Sequence, residues 1–550
     1  MNLTEWPFSA VTPFIIKGDF MKKFISLVFA AAMLFGFAAC NADKPENPVN
    51  ESTSAENNNS AEKKNDTEFL SVYTEKAYEY ETYTEDYYYL TEINYQKLYL
   101  SEENKKEYPR LAKALDSLNA DKTEFYKNKA KELDDYASEQ LGYYYEDGEQ
   151  PTGYTANNEY FLQRADNVVL SIRSDADEFS GSSHPNYGYG GYNFDTVTGK
   201  ELVITDVMTD ISSLPAILSE KINSKKEFAD GFFGSLEETL SEYTAEQFNW
   251  TIGYQGITFY FSPYEIAPYA AALITATVYF DEYPELFNKK YTVAPESYAV
   301  TLSEWNDVEF DMNPSDGKKD TISVGLSYYT EEGSYKDISL NLNGNEYTVE
   351  DVYAFSAEYY LVNSNGRYFV YLVPHGYNDY TNILVYDLNG NEIKEAGYFD
   401  RTVFESLVWE DENEDTHQAK LLFNNPTQFV LETTFDILGT YAADKTYTVN
   451  SETGMPESTD EFYTVDESFA HVLTSKEAFN VKILPDMKSE LIKAGSEFTL
   501  LRTDGKTFVD AKLGDGRECR IYVERNSTDY QLCINGTPEY ELFEEIYYAG

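Results

Sequence analysis

Through Val72–Leu100, VYTEKAYEYETYTEDYYYLTEINYQKLYL, aromatic and polar residues alternate. A period of two predicts strands with one buried face. The period then changes. Leu111, Leu115 and Leu118 fall at helical spacing, as do Phe125, Ala130, Leu133 and Ala137, which predicts one long helix or two joined near Asn119. Strands return from Asn158, followed by a Gly/Tyr-rich connection, SSHPNYGYGGYNFD, and a Thr198-Gly199-Lys200 turn that feeds another strand. Ile211–Leu240 reads as helix, and the chain runs on as strand through Phe248–Tyr279. The expectation for residues 67–301 is an α+β domain, an antiparallel sheet with packed helices.

The second half is almost free of helical periodicity. A linker over 302–320 leads to an all-β domain at 321–449, punctuated by Asn-Gly turns between alternating runs. The turn LNGNE occurs at Leu342–Glu346 and again at Leu388–Glu392, about forty-six residues later. Two copies suggest blades without establishing them, so the fold is expected to be propeller-like or a sandwich. A Pro/Ser/Glu-rich linker at 450–464 precedes a compact region, 465–550. Its five or six short strands are broken by Thr503-Asp504-Gly505-Lys506 and Gly514-Asp515-Gly516-Arg517. This region resembles a small SH3-like barrel of the kind appended to bacterial wall proteins.

One hydrophobic run is not part of these domains. Met21–Cys40, MKKFISLVFAAAMLFGFAAC, begins with Lys22 and Lys23, runs apolar from Phe24 to Phe37, and ends in small residues before a cysteine. That is the layout of a secretory signal. Ala38-Ala39-Cys40 resembles a bacterial lipobox, with Phe37 where Leu is usual. It implies cleavage before Cys40 and a lipid on its sulfur. An ordinary signal peptide, or a short membrane helix, is the competing reading. Residues 1–20 fit no part of a signal, and Met21 is the expected start. Asn41–Asp66 lacks aromatics and is rich in Asn, Ser, Glu, Lys and Pro, as a disordered tether would be. No later stretch reaches the length of a membrane span. The expected location is the outer face of the cytoplasmic membrane, with lipid as the only membrane attachment.

Charge narrows the partners. With 96 acidic against 42 basic residues the formal charge is −54, spread along the whole chain. Such a surface repels nucleic acid and anionic lipid and attracts cationic partners or bound cations. Solubility alone explains it equally well. The 50 tyrosines against 4 tryptophans supply flat rings with polar tips, most of them expected in half-buried strands. Beyond Cys40 only Cys519 and Cys533 remain, as one disulfide or as two buried thiols.

Catalytic patterns are sparse. HExxH, GxSxG, CxxC and phosphate-loop signatures do not occur, and His184, His375, His417 and His471 fall in different predicted units. Scattered carboxylates could meet as a glycosidase pair, but acids are too common here for that to discriminate. One segment suggests a cofactor. Asp311, Asn313, Asp316 and Asp320, within DMNPSDGKKD, look like a calcium loop of alternating carboxylate and amide oxygens around a glycine turn. One extra residue breaks the usual register, and an ordinary acidic turn is the alternative.

Three motifs occur in order: Ser183-His184-Pro185; Asn193-Phe194-Asp195 followed by Thr198-Gly199-Lys200 and Leu202; and FYFSPYEIAPYAA at Phe259–Ala271. Together they resemble an extracellular domain family of unknown function. It is found in the lysozyme-binding ectodomains of RsiV-type anti-sigma factors and in the N-terminal region of a peptidoglycan deacetylase. The resemblance spans about residues 66–301. It implies an α+β domain that recognises a protein or the cell wall rather than one that performs catalysis. A lipobox stands where the anti-sigma proteins carry a cytoplasmic arm, and the deacetylase's catalytic domain has no counterpart. Neither activity therefore transfers. The expectation is a non-catalytic, lipid-anchored surface protein that binds a cationic, lysozyme-like protein or a cell-wall component. A wall-polysaccharide binder or hydrolase, and a purely structural envelope lipoprotein, are the alternatives.

Overall fold

The computed structural model describes residues 67–548 except 84–88, 148–152, 226–230, 332, 377–380, 391, 412–414, 466–471, 527–530 and 545. The signal region with Cys40, the tether and His471 lie outside the described residues.

The alternating N-terminal stretch forms β1 (Val72–Tyr83) and β2 (Tyr89–Leu100), paired antiparallel with Tyr73 opposite Tyr99. A short helix α1 (Glu102–Glu107) is capped by Ser101, whose hydroxyl accepts from Asn104 N. The helix α2 (Pro109–Asp147) then runs unbroken for 39 residues. Asn119 does not divide it. Its buried side chain accepts from Leu98 N at 2.9 Å and donates to Leu98 O at 2.8 Å, tying the helix to β2. Leu111, Leu115, Leu133 and Ala137 are buried as the period requires. Phe125 is exposed instead; Tyr126 takes the inward position and stacks on Tyr95 at 4.9 Å.

After α2 come β3 (Tyr154–Ala165), β4 (Val169–Phe179) and β5 (Asn186–Asp195). The helix acts as a crossover, so β2 and β3 run parallel and the expected antiparallel sheet is mixed. The helical stretch at Ile211–Leu240 is also not continuous. It divides into α4 (Leu214–Ser224) and α5 (Leu236–Ser241), after a single turn α3 (Ile204–Val207); Ser235 caps α5. These helices enclose a core with β6 (Asn249–Ile252), β7 (Gly256–Phe261) and β8 (Ile274–Tyr279), a separate three-stranded sheet.

The second half opens with β9 (Ser297–Leu302), β10 (Val308–Phe310), β11 (Asp320–Tyr329), β12 (Tyr335–Leu342), β13 (Asn345–Val349), β14 (Ala354–Ser364), β15 (Arg367–Gly376), β16 (Ile383–Asp387) and β17 (Lys394–Phe399). All nine belong to one sheet rather than to four-stranded blades. The first LNGNE copy is a tight hairpin between β12 and β13, with Asn343 and Gly344 both left-handed. The second sits in the longer connection from β16 to β17, so the repeated sequence is not a repeated unit. Central strands β14 and β15 read YYLV and YFVYLV because both of their faces are covered. Tyr359, Leu361, Val370 and Leu372 pack on one side, and Tyr360, Val362, Phe369 and Tyr371 on the other.

That second side meets β18 (Thr402–Phe404), β19 (Ser406–Glu410), β20 (Thr416–Leu421), β21 (Phe429–Asp436) and β22 (Thr440–Val449) through Phe404, Leu421, Phe423, Phe429 and Tyr447. The expected linker at 450–464 supplies β23 (Pro456–Glu457) and, at its end, β24 (Tyr463–Val465). β24 pairs β22 on one side and the strand Glu497–Thr503 on the other. The C-terminal strands are therefore continuous with the preceding ones in a twelve-stranded sheet, and no sheet among the described residues closes into the expected small barrel. Of the two readings of the cysteine pair, the disulfide is not formed. Cys519 points into the C-terminal core, where burial pushes its thiol up to about 12, while Cys533 belongs to a different, three-stranded sheet; both are free thiols. No described helix is long and apolar enough to cross a membrane.

The hairpin β19–β20 docks on β1, with Tyr73 opposite Leu421, and so completes a seven-stranded sheet, β19-β20-β1-β2-β3-β4-β5. Its lock is His417. Nδ1 lies 2.5 Å from Glu75 Oε1, Nε2 lies 3.5 Å from Asp411, and the ring stacks on Trp409. Tyr99 donates its hydroxyl to the other Glu75 oxygen at 2.7 Å. The hydrogen bond to Glu75 raises the His417 pKa above 6.5. A raised histidine contributes stability that is complete below the unfolded value and is lost as pH rises through the folded one. The expected result is a change in Trp409 fluorescence with a midpoint above pH 6.5 that moves to lower pH in Glu75→Gln. A midpoint at or below 6.5 would count against this lock.

Candidate ligand-binding face

The helix α2 covers one face of the β1–β5 sheet, burying Ile93, Tyr95, Ala156, Tyr160, Leu162 and Ile172. Successive strand residues point to opposite faces, so the intervening positions form the other side. Ladder register brings five of them into one row across five strands: Tyr78, Asn94, Asn157, Asp177 and Tyr187. Asn94 Nδ2 donates to Asn157 Oδ1 at 3.1 Å, and Asn157 Nδ2 donates to Asp177 Oδ2 at 2.9 Å. The row is thus an amide–carboxylate chain with an exposed tyrosine at each end. Beside it, Glu159 pairs with Asp175 and Asp175 with Tyr189, and next in line come Phe161, Arg173 and Gly191.

Charge on this face is predominantly negative. Arg173 is buried and forks onto Asp175 at 2.6 and 2.5 Å, with the rings of Tyr260, Tyr189 and Phe161 within 5.7 Å. Burial nevertheless holds the Asp175 carboxyl above its usual range, and raises Asp177 against the hydrogen bond from Asn157. Glu159 reaches solvent from the floor of the face, yet the protein around it raises its pKa. Asp175 adds to that shift and Lys76 opposes it, with smaller additions from Glu304 and Asp177. Carboxylates raised in this way sit in unfavourable surroundings that an arriving cation would relieve.

Tyr187 also begins an aromatic cluster formed by two of the sequence motifs. The His184 ring stacks on Tyr269 at 3.8 Å, Tyr187 lies 6.2 Å from Tyr269, and the Tyr264 hydroxyl lies 3.4 Å from His184 Nε2. Tyr269 donates to Pro185 O at 3.0 Å, which fixes the Ser-His-Pro element to the Ser-Pro-Tyr-Glu loop. The loop is held from within. Tyr264 is left-handed at φ 69°, and Glu265 accepts from Ser262 N at 2.9 Å and from the Tyr243 hydroxyl at 3.1 Å. Burial pushes Glu265 up to about 7. The third motif is structural. Asn193 donates to Trp250 O and accepts from Ser171, Phe194 is in the core, and Asp195 accepts from Thr198 N and its hydroxyl to shape the turn.

The other candidate residues lie elsewhere. Asp311, Asn313, Asp316 and Asp320 share one loop, but their polar atoms partner one another and the loop backbone. Asp311 accepts from Asn313 N at 3.0 Å and pairs with Lys319 at 2.6 Å; Asn313 donates to Asp316 at 3.3 Å; Asp320 accepts from Met312 N at 3.1 Å. Among the described residues no three His, Cys, Asp or Glu side chains are placed to hold a metal ion. His375 bonds Glu358 at 2.9 Å, and Lys420 of β20, the strand that carries His417, lies 3.4 Å from its ring. The row itself is not visible from sequence, since its members are ordinary polar positions in alternating strands until register lines them up.

Residues 205–281 match the profile of a family described as a protein of unknown function, DUF3298. This segment is similar to the DUF3298 family over those residues. It contains α4, α5, β6–β8 and the Ser-Pro-Tyr-Glu loop, while the polar row lies outside it. No curated protein matches the chain. Among solved structures, the chain is similar to a member of the DUF3298 family from Bacteroides fragilis NCTC 9343, with 19% identity and a TM-score of 0.32, over 40% of this chain and 94% of that one. It is also similar to a DUF3298 family protein from Pseudomonas aeruginosa PAO1, with 15% identity and a TM-score of 0.27, over 42% of this chain and 97% of that one.

Proposed function

We propose that this chain is a lipid-anchored bacterial cell-surface protein that acts by binding, and that the open face of the seven-stranded sheet receives a cationic protein partner. The observation that carries this reading is the row from Tyr78 to Tyr187 with the raised carboxyls of Glu159, Asp175 and Asp177 around it. Tyrosines and amides give contact area and hydrogen bonds, and the negative field speeds encounter with a positive partner. The lipid at Cys40 would hold this face outside the membrane.

The test is retention of the full chain on immobilised lysozyme across a salt series, with cytochrome c as a cationic control. Glu159→Gln with Asp177→Asn should weaken lysozyme binding roughly tenfold, about 1.4 kcal/mol. No retention at low salt, or equal retention of wild type and double variant, would retire the reading. Loss of lipid labelling in Cys40→Ser tests the anchor separately.

A further inference from the structure

A second surface lies on the nine-stranded sheet. In β11, Ile322, Val324 and Leu326 turn into the core, so Gly325, Ser327 and Tyr329 turn the other way. Their ladder partners on β12 are Ser339, Asp337 and Tyr335. The indole of Trp305 lies across Gly325, where a methyl group would come within 2.4 Å of the ring. Tyr329 and Tyr335 meet edge to face at 5.0 Å. Tyr353 stands beside them, its backbone N–H donating to Lys336 O.

These rings are held outward at a cost. Trp305, Tyr328 and Tyr353 have φ of 57°, 58° and 52°, a left-handed backbone that penalises any residue bearing a Cβ. Glycine or asparagine would occupy these positions with less strain. Trp305 is 60% exposed and Tyr328 71%, so core packing does not repay the strain. Among the described residues from Ser297 to Phe399, the span of the nine-stranded sheet, every exposed large apolar side chain is aromatic: Trp305, Tyr328, Tyr329, Tyr353, Phe355 and Tyr398. Separate flat rings interleaved with the acceptors of Ser327, Asp337 and Ser339 fit a sugar polymer, whose ring faces stack and whose hydroxyls donate. The charge of −54 turns away anionic polymers.

We propose that Trp305 and Tyr329, the latter backed by Tyr335, which is half-buried against the core, form a binding surface for a neutral or amino-bearing polysaccharide, separate from the face of the seven-stranded sheet. The experiment measures retention of the full chain on insoluble chitin and chitosan, with alginate as the anionic control, and titrates tryptophan fluorescence with an N-acetylglucosamine hexasaccharide. Retention on chitin or chitosan but not alginate is expected. Trp305→Ala should weaken it roughly tenfold, and Trp305→Tyr, which keeps a ring, should recover part of the loss. Gly325→Ala keeps the indole but displaces it and should also weaken retention, whereas Glu159→Gln with Asp177→Asn should leave it unchanged. Failure of wild type to bind either glycan, or retention by Trp305→Ala equal to wild type, would overturn the proposal.

Discussion

Replacing Arg164 by alanine is expected to cost the fold about 3–5 kcal/mol. Arg164 is among the most deeply buried large side chains of the protein. Its Nε donates to Asp166 at 2.8 Å, Nη1 to Tyr291 O at 2.6 Å and Nη2 to Val293 O at 3.0 Å, and the guanidinium lies over the Tyr254 ring. Asp166 in turn accepts from Val168 N and Val169 N. Removal of the arginine leaves a buried carboxylate without its cation and two carbonyls without donors, which is far costlier than losing a surface pair. The contact also pins the chain segment that leads from the three-stranded sheet into β9. Urea unfolding with Asp166→Ala and the double variant would isolate the coupling, since the two single losses should not add. A single-variant loss under about 1 kcal/mol would show that the pair does not hold this junction.

Gly191→Ala is expected to destabilise by about 1–3 kcal/mol or more, while Gly190→Ala, one residue away, is expected to be neutral or slightly stabilising. A Cβ on Gly191 would lie 1.8 Å from Trp250 O, a backbone atom that cannot swing aside. At Gly190 there is nothing within 4 Å. The difference reflects how β6 crosses β5 at contact distance, with Asn193 donating to the same Trp250 carbonyl. Because β5 carries Tyr187 and Tyr189, the Gly191 variant should also lose lysozyme retention where it remains folded. Equal unfolding midpoints for the two alanine variants would contradict this close approach.

Local pattern was enough to locate β1, β2 and α2, because period two and period 3.6 are properties of neighbouring residues. It erred by one position at Phe125 against Tyr126, where two adjacent aromatics compete for one inward slot. The Ser-His-Pro and Ser-Pro-Tyr-Glu motifs could be read separately, but the stacking of His184 on Tyr269 joins residues that only tertiary structure brings together. The polar row was hidden for the same reason: Asn94, Asn157 and Asp177 become neighbours through register, which sequence spacing does not encode. The C-terminal barrel was a misreading of correct strands. Turn spacing finds the hairpins but does not say whether the last strand returns to the first or, as β24 does, joins an existing sheet.

The hairpin clasped by His417 has a consequence for how the chain can be made. Glu75 and His417 are 342 positions apart, and β1 has no partner on that side until β20 arrives. During synthesis or export, the outer edge of the first strand stays open until the chain has emerged past residue 421, and an uncovered strand edge invites pairing with another molecule. A fragment cut near residue 301, where the N-terminal domain ends in sequence, would keep that edge bare for good. The sheet that β1 begins is therefore finished by the half of the chain that follows it.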